Sequence, residues 1–574
     1  MVLGSSPSSL IWRHMQVSPR IAAATLALAV VAYGYGLGSL HILANGDEMI
    51  YAQIARATAA SGHWLPLQSE MADMVNTKPP FLTWQGMLST DWGRQWTLAA
   101  LRWPSLAWTF ATAALAGLLA WRASGRAPVG ALAAAIYLAF LSTYRYGRPF
   151  LTNPPETFWV FACFFIMLWW RPRSFESRLV FPTVVGLCAG VALFAKSFAQ
   201  LVPIGAGLVA WHLHEVRRPD GGPDWRRLFL RSAPGLVWTA LLALSVFALW
   251  FLFDPDPAAI WREFVVGENL GKMKAGRASY LLAALWGRMS VWGYALSWFL
   301  DAGLLAFPLL GTLIRAWQHR REATAIERLL WIWAGVLFLV FLVPTQRSGR
   351  YLLEAMPGIA VIMALHWHRL LPSAFATTVA GAGLVVGVVA WLSVLLVRDL
   401  GGDALPWIHW AIVAGAAGLV LLPLVDRRRL AACALPAVFS AFLVVSSFLA
   451  AFDPPRGGYP PEAVAATRGH VVHVPQNFRA AAERNSFLLP GATIRGYREQ
   501  DQEHGPADIG VDEFVVVVRP FDAAAPAGAL ASRIELSSRH TARQLFEMAT
   551  GHLAEHLFCR EWLLPGPPGK HVGR

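Results

Sequence analysis

Two carboxylates stand side by side in "NGDEMIYAQIA" (45–55), directly after the apolar run "RIAAATLALAVVAYGYGLGSL". Asp47 and Glu48 can open a helix, where acidic side chains meet the positive end of the helix dipole. They can also serve as a general base, or orient an acceptor group. Beside a low-dielectric surface a carboxylate binds its proton more tightly, which suits that role. In "NTKPPFLTW" (76–84) Lys78 precedes two prolines that stiffen its backbone. It can snorkel at an interface or hold a phosphate. "REFVVGENLGKMKAGR" (262–277) carries Glu268, Asn269, Lys272, Lys274 and Arg277. Glu268 and Lys272 are four apart, the spacing of a surface ion pair on a helix. "TQRSGRY" (345–351) crowds Arg347, Arg350 and Tyr351 at a membrane boundary, with Glu354 and Pro357 just beyond. An arginine in the membrane costs about 2.5–3.5 kcal/mol on insertion scales, so it normally meets an anion or water. "YRYGRPFLTNPPETF" (144–158) brings Arg145, Arg148, Asn153 and Glu156 to the same face, and Lys196 in "FAKSFAQ" reads as a structural anchor. An acidic pair among several cations suits a site that binds a lipid-borne phosphate and acts on its cargo. The phosphate leaves as an anion, and Lys and Arg offset its growing charge. Fixed cations can do this without a metal, and no Asp-x-Asp signature argues for one.

Apolar helices must position these residues. Of 574 residues, 56% are hydrophobic and 14% charged, against about 25% charged in soluble domains. With many apolar stretches near 20 residues, the chain reads as a polytopic membrane protein. About thirteen spans are expected at this length scale, near 20–40, 97–121, 127–143, 155–170, 178–195, 198–214, 231–253, 292–314, 328–344, 351–370, 374–397, 406–425 and 429–452. The first reads as a retained signal anchor. With the N-terminus cytoplasmic, the Arg-rich connections "WRASGRA", "RPRSFESR", "HEVRRPDGGPDWRRLFLR", "RAWQHRREATAIER" and "DRRR" all fall inside, as the positive-inside rule requires. That rule accounts for the net charge of +13 without nucleic acid. Cys163, Cys188 and Cys433 lie in apolar runs and read as buried thiols; Cys559 is the fourth cysteine. Three outer segments are more than turns: 41–96, 254–291 and the tail 453–574. The first reads as helices "DEMIYAQIARATAA", with Asn45 or Asp47 able to cap it, and "FLTWQGMLS", separated by "KPP". The tail opens with the linker "DPPRGGYPPEA". It then offers strands "HVVHVP", "ATIRGY" and "EFVVVVRP", with helical "FRAAAERNSFLL" and "TARQLFEMATGHLAEHLF". The expected division is a membrane domain, 1–452, and a small α/β domain, 453–574.

The stretch "DEMIYAQIARATAASGHWLPLQ…NTKPPFLTW" resembles the first outer loop of membrane glycosyltransferases that use polyprenyl-phosphate sugars. These include the protein O-mannosyltransferases and the lipid A aminoarabinose transferases. "LRWPSLAW", "GENLGKM" and "RSGRYLLEAMPGIAVI" are similar to further motifs of that family. The resemblance implies a GT-C fold and an inverting sugar transfer at the outer face of a bacterial inner membrane. A polyprenyl-phosphate sugar would be the donor, no cofactor would be needed, and an envelope lipid, glycan or protein would be the acceptor. It implies Asp47 as catalytic carboxylate with Glu48 in support, and Lys78, Lys272 and Tyr351 at the carrier phosphate, where Arg347 and Arg350 also fall. Tyr51, Asn153, Glu156, Glu268 and Asn269 are the candidate sugar or acceptor contacts. The chain departs from the family pattern at Lys272, where Arg is usual, at Asn153, where many members have Asp, and at Glu354, which replaces a proline. A transporter or flippase of an anionic lipid would use the same cations, but the paired repeats common in transporters are not visible here.

Overall fold

The computed structural model describes residues 18–43, 47–71, 74–216, 222, 224–270, 284–287, 290–344, 347–454, 456–506, 508–537 and 540–566. Among them, seven helical segments are long and apolar enough to cross a membrane: 98–124, 225–253, 284–318, 325–342, 372–400, 407–425 and 427–450. The pair 127–139 and 141–147, bent by 68°, makes an eighth if counted as one span. The other five expected spans coincide with helices of 11 to 17 residues.

The helices that hold the site are α1 (Pro19–Gly34), α2 (Glu48–Ser61), α3 (Phe81–Ser89), α4 (Leu98–Ser124), α5 (Ala127–Ala139), α6 (Leu141–Gly147) and α7 (Asn153–Trp169). Behind them come α8 (Val180–Ala195), α9 (Leu201–Glu215), α10 (Ala233–Phe253), α11 (Val291–Ala302), α12 (Ala306–Gln318), α13 (Ala325–Leu342) and α14 (Met356–His366). The membrane part ends with α15 (Pro372–Leu400), α16 (Trp407–Val425) and α17 (Leu430–Ala450). Local chemistry sets their ends. Ser18 accepts from the Ile21 amide to open α1, Thr97 does the same for α4 through Ala100, and α7 opens on Pro154 and Pro155, which lack donors the first turn could not use.

Lipid tails are as apolar as leucine, so packing rather than water exclusion must join such helices. α4 and α5 meet through Gly117 and Gly130. A Cβ on Gly130 would lie 2.7 Å from the Gly117 carbonyl oxygen, so the backbones can touch only without side chains. Deeper in, Phe164 stacks on Trp333 with centroids 3.7 Å apart. Arg148 is fully buried. It donates to the carbonyls of Tyr33 and Tyr35, to the Tyr144 hydroxyl and to Ser446. Its partners are the carbonyls that end α1, where the helix dipole favours a cation.

The tail forms a five-stranded sheet in the order β2-β1-β3-β5-β4. The strands are β1 (Val471–Gln476), β2 (Thr493–Arg498), β3 (Phe514–Pro520), β4 (Ala531–Leu536) and β5 (Phe558–Pro565). β1 runs parallel to β2 and β3, and β5 is antiparallel to β3 and β4. The expected long helix is broken in two: α18 (Ala542–Thr550) stops at Gly551, whose φ is +131°, and a short helix, Leu553–Leu557, leads into β5 at Phe558. This small domain seats on the first long loop, residues 41–96. Arg56 of α2 grips Glu483 through two nitrogens at 2.8 and 2.9 Å, and Trp96 stacks on Phe487 while its indole N–H donates to Ser486.

Candidate active site

α2 and α3 carry the two charged ends of the first loop. Their crossing is close. A Cβ on Gly86 would lie 2.7 Å from the Phe150 ring and 3.2 Å from Ala55 Cβ. The absence of a side chain there lets α3 lie against α2, with Lys78 held at its entry by Pro79 and Pro80. Asp47 stands at the first position before α2 but makes no capping bond. Its Oδ2 instead takes the Arg350 Nη1 proton at 2.8 Å. Arg350 Nη2 donates to Asn153 Oδ1 at 3.2 Å, and Asn153 turns its amide to Glu156 at 3.4 Å. Glu156 accepts from Lys196 Nζ at 2.7 Å and from Gln200, which also donates to Glu354 at 2.7 Å. A continuous polar chain thus runs inward from Asp47 to two carboxylates that are almost wholly buried.

The segment before residue 270 packs against the first loop. Glu268 pairs with Lys78 at 2.6 Å, Asn269 accepts from Ser197 at 2.9 Å, and Glu263 takes both the backbone and side-chain N–H of Asn76. Tyr51 sits in the middle. Burial holds its phenol proton well above the usual range, and the charges of Asp47, Glu268 and Glu156 add to that against Arg350. Arg350 binds its proton more tightly than an ordinary arginine: burial opposes the charge, and the bond and charge of Asp47 outweigh it. The arrangement therefore sets a carboxylate beside a permanent cation at the head of a chain of buried polar groups.

Residues 22–253 match the family described as dolichyl-phosphate-mannose-protein mannosyltransferase. An undecaprenyl phosphate-alpha-4-amino-4-deoxy-L-arabinose arabinosyl transferase of Erwinia tasmaniensis is 26% identical over 417 residues, 70% of this chain and 67% of the relative. A second such transferase, from Sodalis glossinidius, is 27% identical over 66% of this chain and 64% of its own length. The crystal structure of ArnT from Cupriavidus metallidurans bound to undecaprenyl phosphate has the same fold. Its TM-score is 0.59 at 16% identity, over 95% of this chain and 99% of that one. The chain thus resembles the mannosyltransferase family over residues 22–253 and shares the fold of ArnT. Its alignments span about two thirds of the length of these relatives.

Within this fold the sequence motifs divide between the site and its supports. Glu48 is a support. It is 3% exposed, holds Arg102 through both oxygens at 2.7 and 2.8 Å, and accepts the Phe150 amide at 2.7 Å. Arg102 also donates to the carbonyls of Leu37 and Ser39, which fixes the turn leading to Asp47. Arg347 turns away to the Leu342 carbonyl at the end of α13. Tyr351 stacks on Phe341 and offers its ring to Lys196 at 5.6 Å. Lys196, read as an anchor, is part of the polar chain. Glu268 pairs with Lys78; Lys272, the expected partner of Glu268, lies outside the described residues with Lys274, Arg277 and Asn45. Sequence reasoning passed over Gln200, a neutral residue in an apolar setting, and Arg102, which stands inside an apolar helix with "LRWPSLAW" as its one signal.

Proposed function

We propose that the protein transfers a sugar from a polyprenyl-phosphate carrier to an acceptor at the extracytoplasmic face of a bacterial inner membrane, with Asp47 as the catalytic carboxylate. The observation that carries this reading is the Asp47–Arg350 pair at the head of the buried chain through Asn153 and Glu156. Two features support a lipid carrier. An apolar groove of about 580 Å³ runs between α3 and α4, lined by Phe81, Trp84, Leu88, Trp103 and Trp108. Its first lining residue lies three positions after Lys78, so a prenyl chain in the groove would bring its phosphate toward that cation. The relatives named above carry undecaprenyl phosphate in their names.

In this mechanism Lys78 exchanges Glu268 for the carrier phosphate and offsets the charge that builds as the phosphate leaves. The acceptor attacks the anomeric carbon from the opposite face, with inversion. Asp47 takes the proton of a hydroxyl acceptor or orients an acceptor that is already ionised. Glu354 Oε2 and Gln200 Oε1 are buried and have no hydrogen-bond partner among the described residues, and the hydroxyl or amino groups of a sugar are suitable partners. The acceptor class is an envelope lipid, glycan or protein.

The test is a transfer assay with reconstituted protein and an undecaprenyl-phosphate-linked sugar. Asp47→Asn should lose about 100- to 10,000-fold in turnover with its folding intact; wild-type turnover removes Asp47 from the mechanism. Lys78→Ala should weaken donor binding, and an unchanged donor affinity removes its phosphate role. Movement of the lipid across the membrane with no glycosidic product would establish a flippase instead.

A further inference from the structure

The C-terminal domain presents an amphipathic helix with an exposed apolar stripe. α18 is started by a capping box between Thr541 and Gln544. Met548 is its one buried residue and faces the protein. Ala542, Leu545, Phe546 and Ala549 recur at i, i+3, i+4 and i+7, which places them on one stripe. All four are exposed, Leu545 by 53% and Phe546 by 70%. Arg543 and Glu547 pair across the other side at 2.7 Å.

The level of this helix along the bundle follows from helix geometry. α15 has 29 residues, about 43 Å at roughly 1.5 Å per residue, and the hydrocarbon core is about 30 Å thick. At the start of α15, Pro372 shares an apolar groove with Arg427 and Arg428, and these arginines mark the water boundary at that end. About 30 Å further along α15 stands the exposed Trp391. α16 gives a second measure. It runs from the exposed Trp407 to Val425, just before Asp426 and Arg427, over 19 residues or about 28 Å. Ser393 and His409 tie the two helices at 2.8 Å, so Trp391 and Trp407 stand within about 6 Å of one level. Indoles settle at the membrane interface, and here two do so on adjacent helices. α18 is fastened at that level. Trp391 Nε1 donates to the Ala549 carbonyl at 3.0 Å, Arg398 donates to the Gly551 carbonyl, and Asp399 accepts the Ala554 amide at 3.3 Å. Val388 and Leu384, one and two turns before Trp391, are exposed as well, so the stripe of α18 continues the lipid-facing flank of α15.

We infer that α18 lies in the boundary between headgroups and acyl chains, with Leu545 and Phe546 among the acyl chains. The partner of this surface is the lipid leaflet. The C-terminal domain is then held to the bilayer as well as to the first loop, at the depth of about 5–10 Å usual for interfacial helices.

The test uses the full chain with Cys559→Ser, whose other cysteines are buried. Single cysteines replace Leu545, Phe546 or Arg543, carry a spin label, and are reconstituted in vesicles of phosphatidylethanolamine and phosphatidylglycerol. Collisions with oxygen, which partitions into lipid, are compared with collisions with a water-soluble nickel chelate. Labels at 545 and 546 should favour oxygen several-fold over the label at 543. Equal, water-like behaviour at 546 and 543 overturns the inference. Shielding of the 546 label from both reagents overturns it too, because a protein surface would then cover the stripe.

Discussion

Asp47 and Glu48 are neighbours in sequence with separate tasks. Asp47 is half-buried and faces Arg350, whereas Glu48 is sealed against Arg102. Breaking a buried ion pair by removing one partner costs about 3–5 kcal/mol, because the other charge is left uncompensated. Glu48→Gln should therefore lower the thermal unfolding midpoint in detergent by several degrees, while Asp47→Asn leaves it near wild type. A Glu48→Gln protein with unchanged midpoint but no turnover would move Glu48 into the chemistry. The two carboxylates, Lys78 and the Arg350 turn were legible in the sequence because charge at the edge of an apolar run has few other causes. Their partners were not. Glu48 reaches Arg102 across 54 positions and Lys78 reaches Glu268 across 190, and local spacing pointed to neither pair. Pairing over such distances is decided by the fold, so spacing within a motif carries no record of it.

At the scale of elements, the crossing of α2 and α3 places Lys78 relative to Asp47. Gly86 permits it, and its virtual Cβ already meets Phe150 at 2.7 Å. Gly86→Val should overpack this contact, at a cost of about 1–3 kcal/mol, and shift α3 with the lysine at its entry. Its signature is a raised KM for the lipid-linked donor, larger than any fall in kcat; Gly86→Ala should show the same in milder form. Wild-type KM in both variants would mean that α3 does not position the donor. The long apolar helices and β1 to β3 were legible from composition and from runs such as "EFVVVVRP". The 68° bend after Ala139 and the 3-10 turn at Gly349–Ala355 that carries Arg350 leave no comparable mark. β5 was hidden because "GHLAEHLF" keeps a helical apolar spacing up to Phe558, and β4, "ASRIEL", has too few apolar residues to stand out.

At the scale of the whole molecule, the tail and the first loop are one mechanical unit. Arg56, from the motif that carries the family resemblance, serves this contact: it holds Glu483 of the tail. A second clamp centres on His41. It faces Asp453 at 3.0 Å and Glu535 at 3.2 Å, with Arg484 and Arg533 bound to Glu535 alongside. Burial lowers the His41 pKa from 6.5; Asp453 opposes this, and Arg484 and Arg533 add to it. The unfolded chain therefore takes up a proton near pH 6.5, while the folded chain does so only at lower pH. Stability from this group is fully present above pH 6.5 and is lost as the pH falls through the folded value. Glu483 gives the opposite slope. Burial raises its pKa above 4.5 despite Arg56, so its contribution is present below pH 4.5 and fades as the pH rises. Comparing wild type with His41→Gln separates the two, since Glu483 is common to both. From pH 7.5 to 5, the tail amides of the wild type should lose hydrogen-exchange protection relative to pH-corrected intrinsic rates, and His41→Gln should flatten that loss. If the variant keeps the wild-type pH slope, the clamp on the first loop does not depend on the charge of His41. The seating of the tail on the first loop would then be carried by Arg56–Glu483 and Trp96–Phe487.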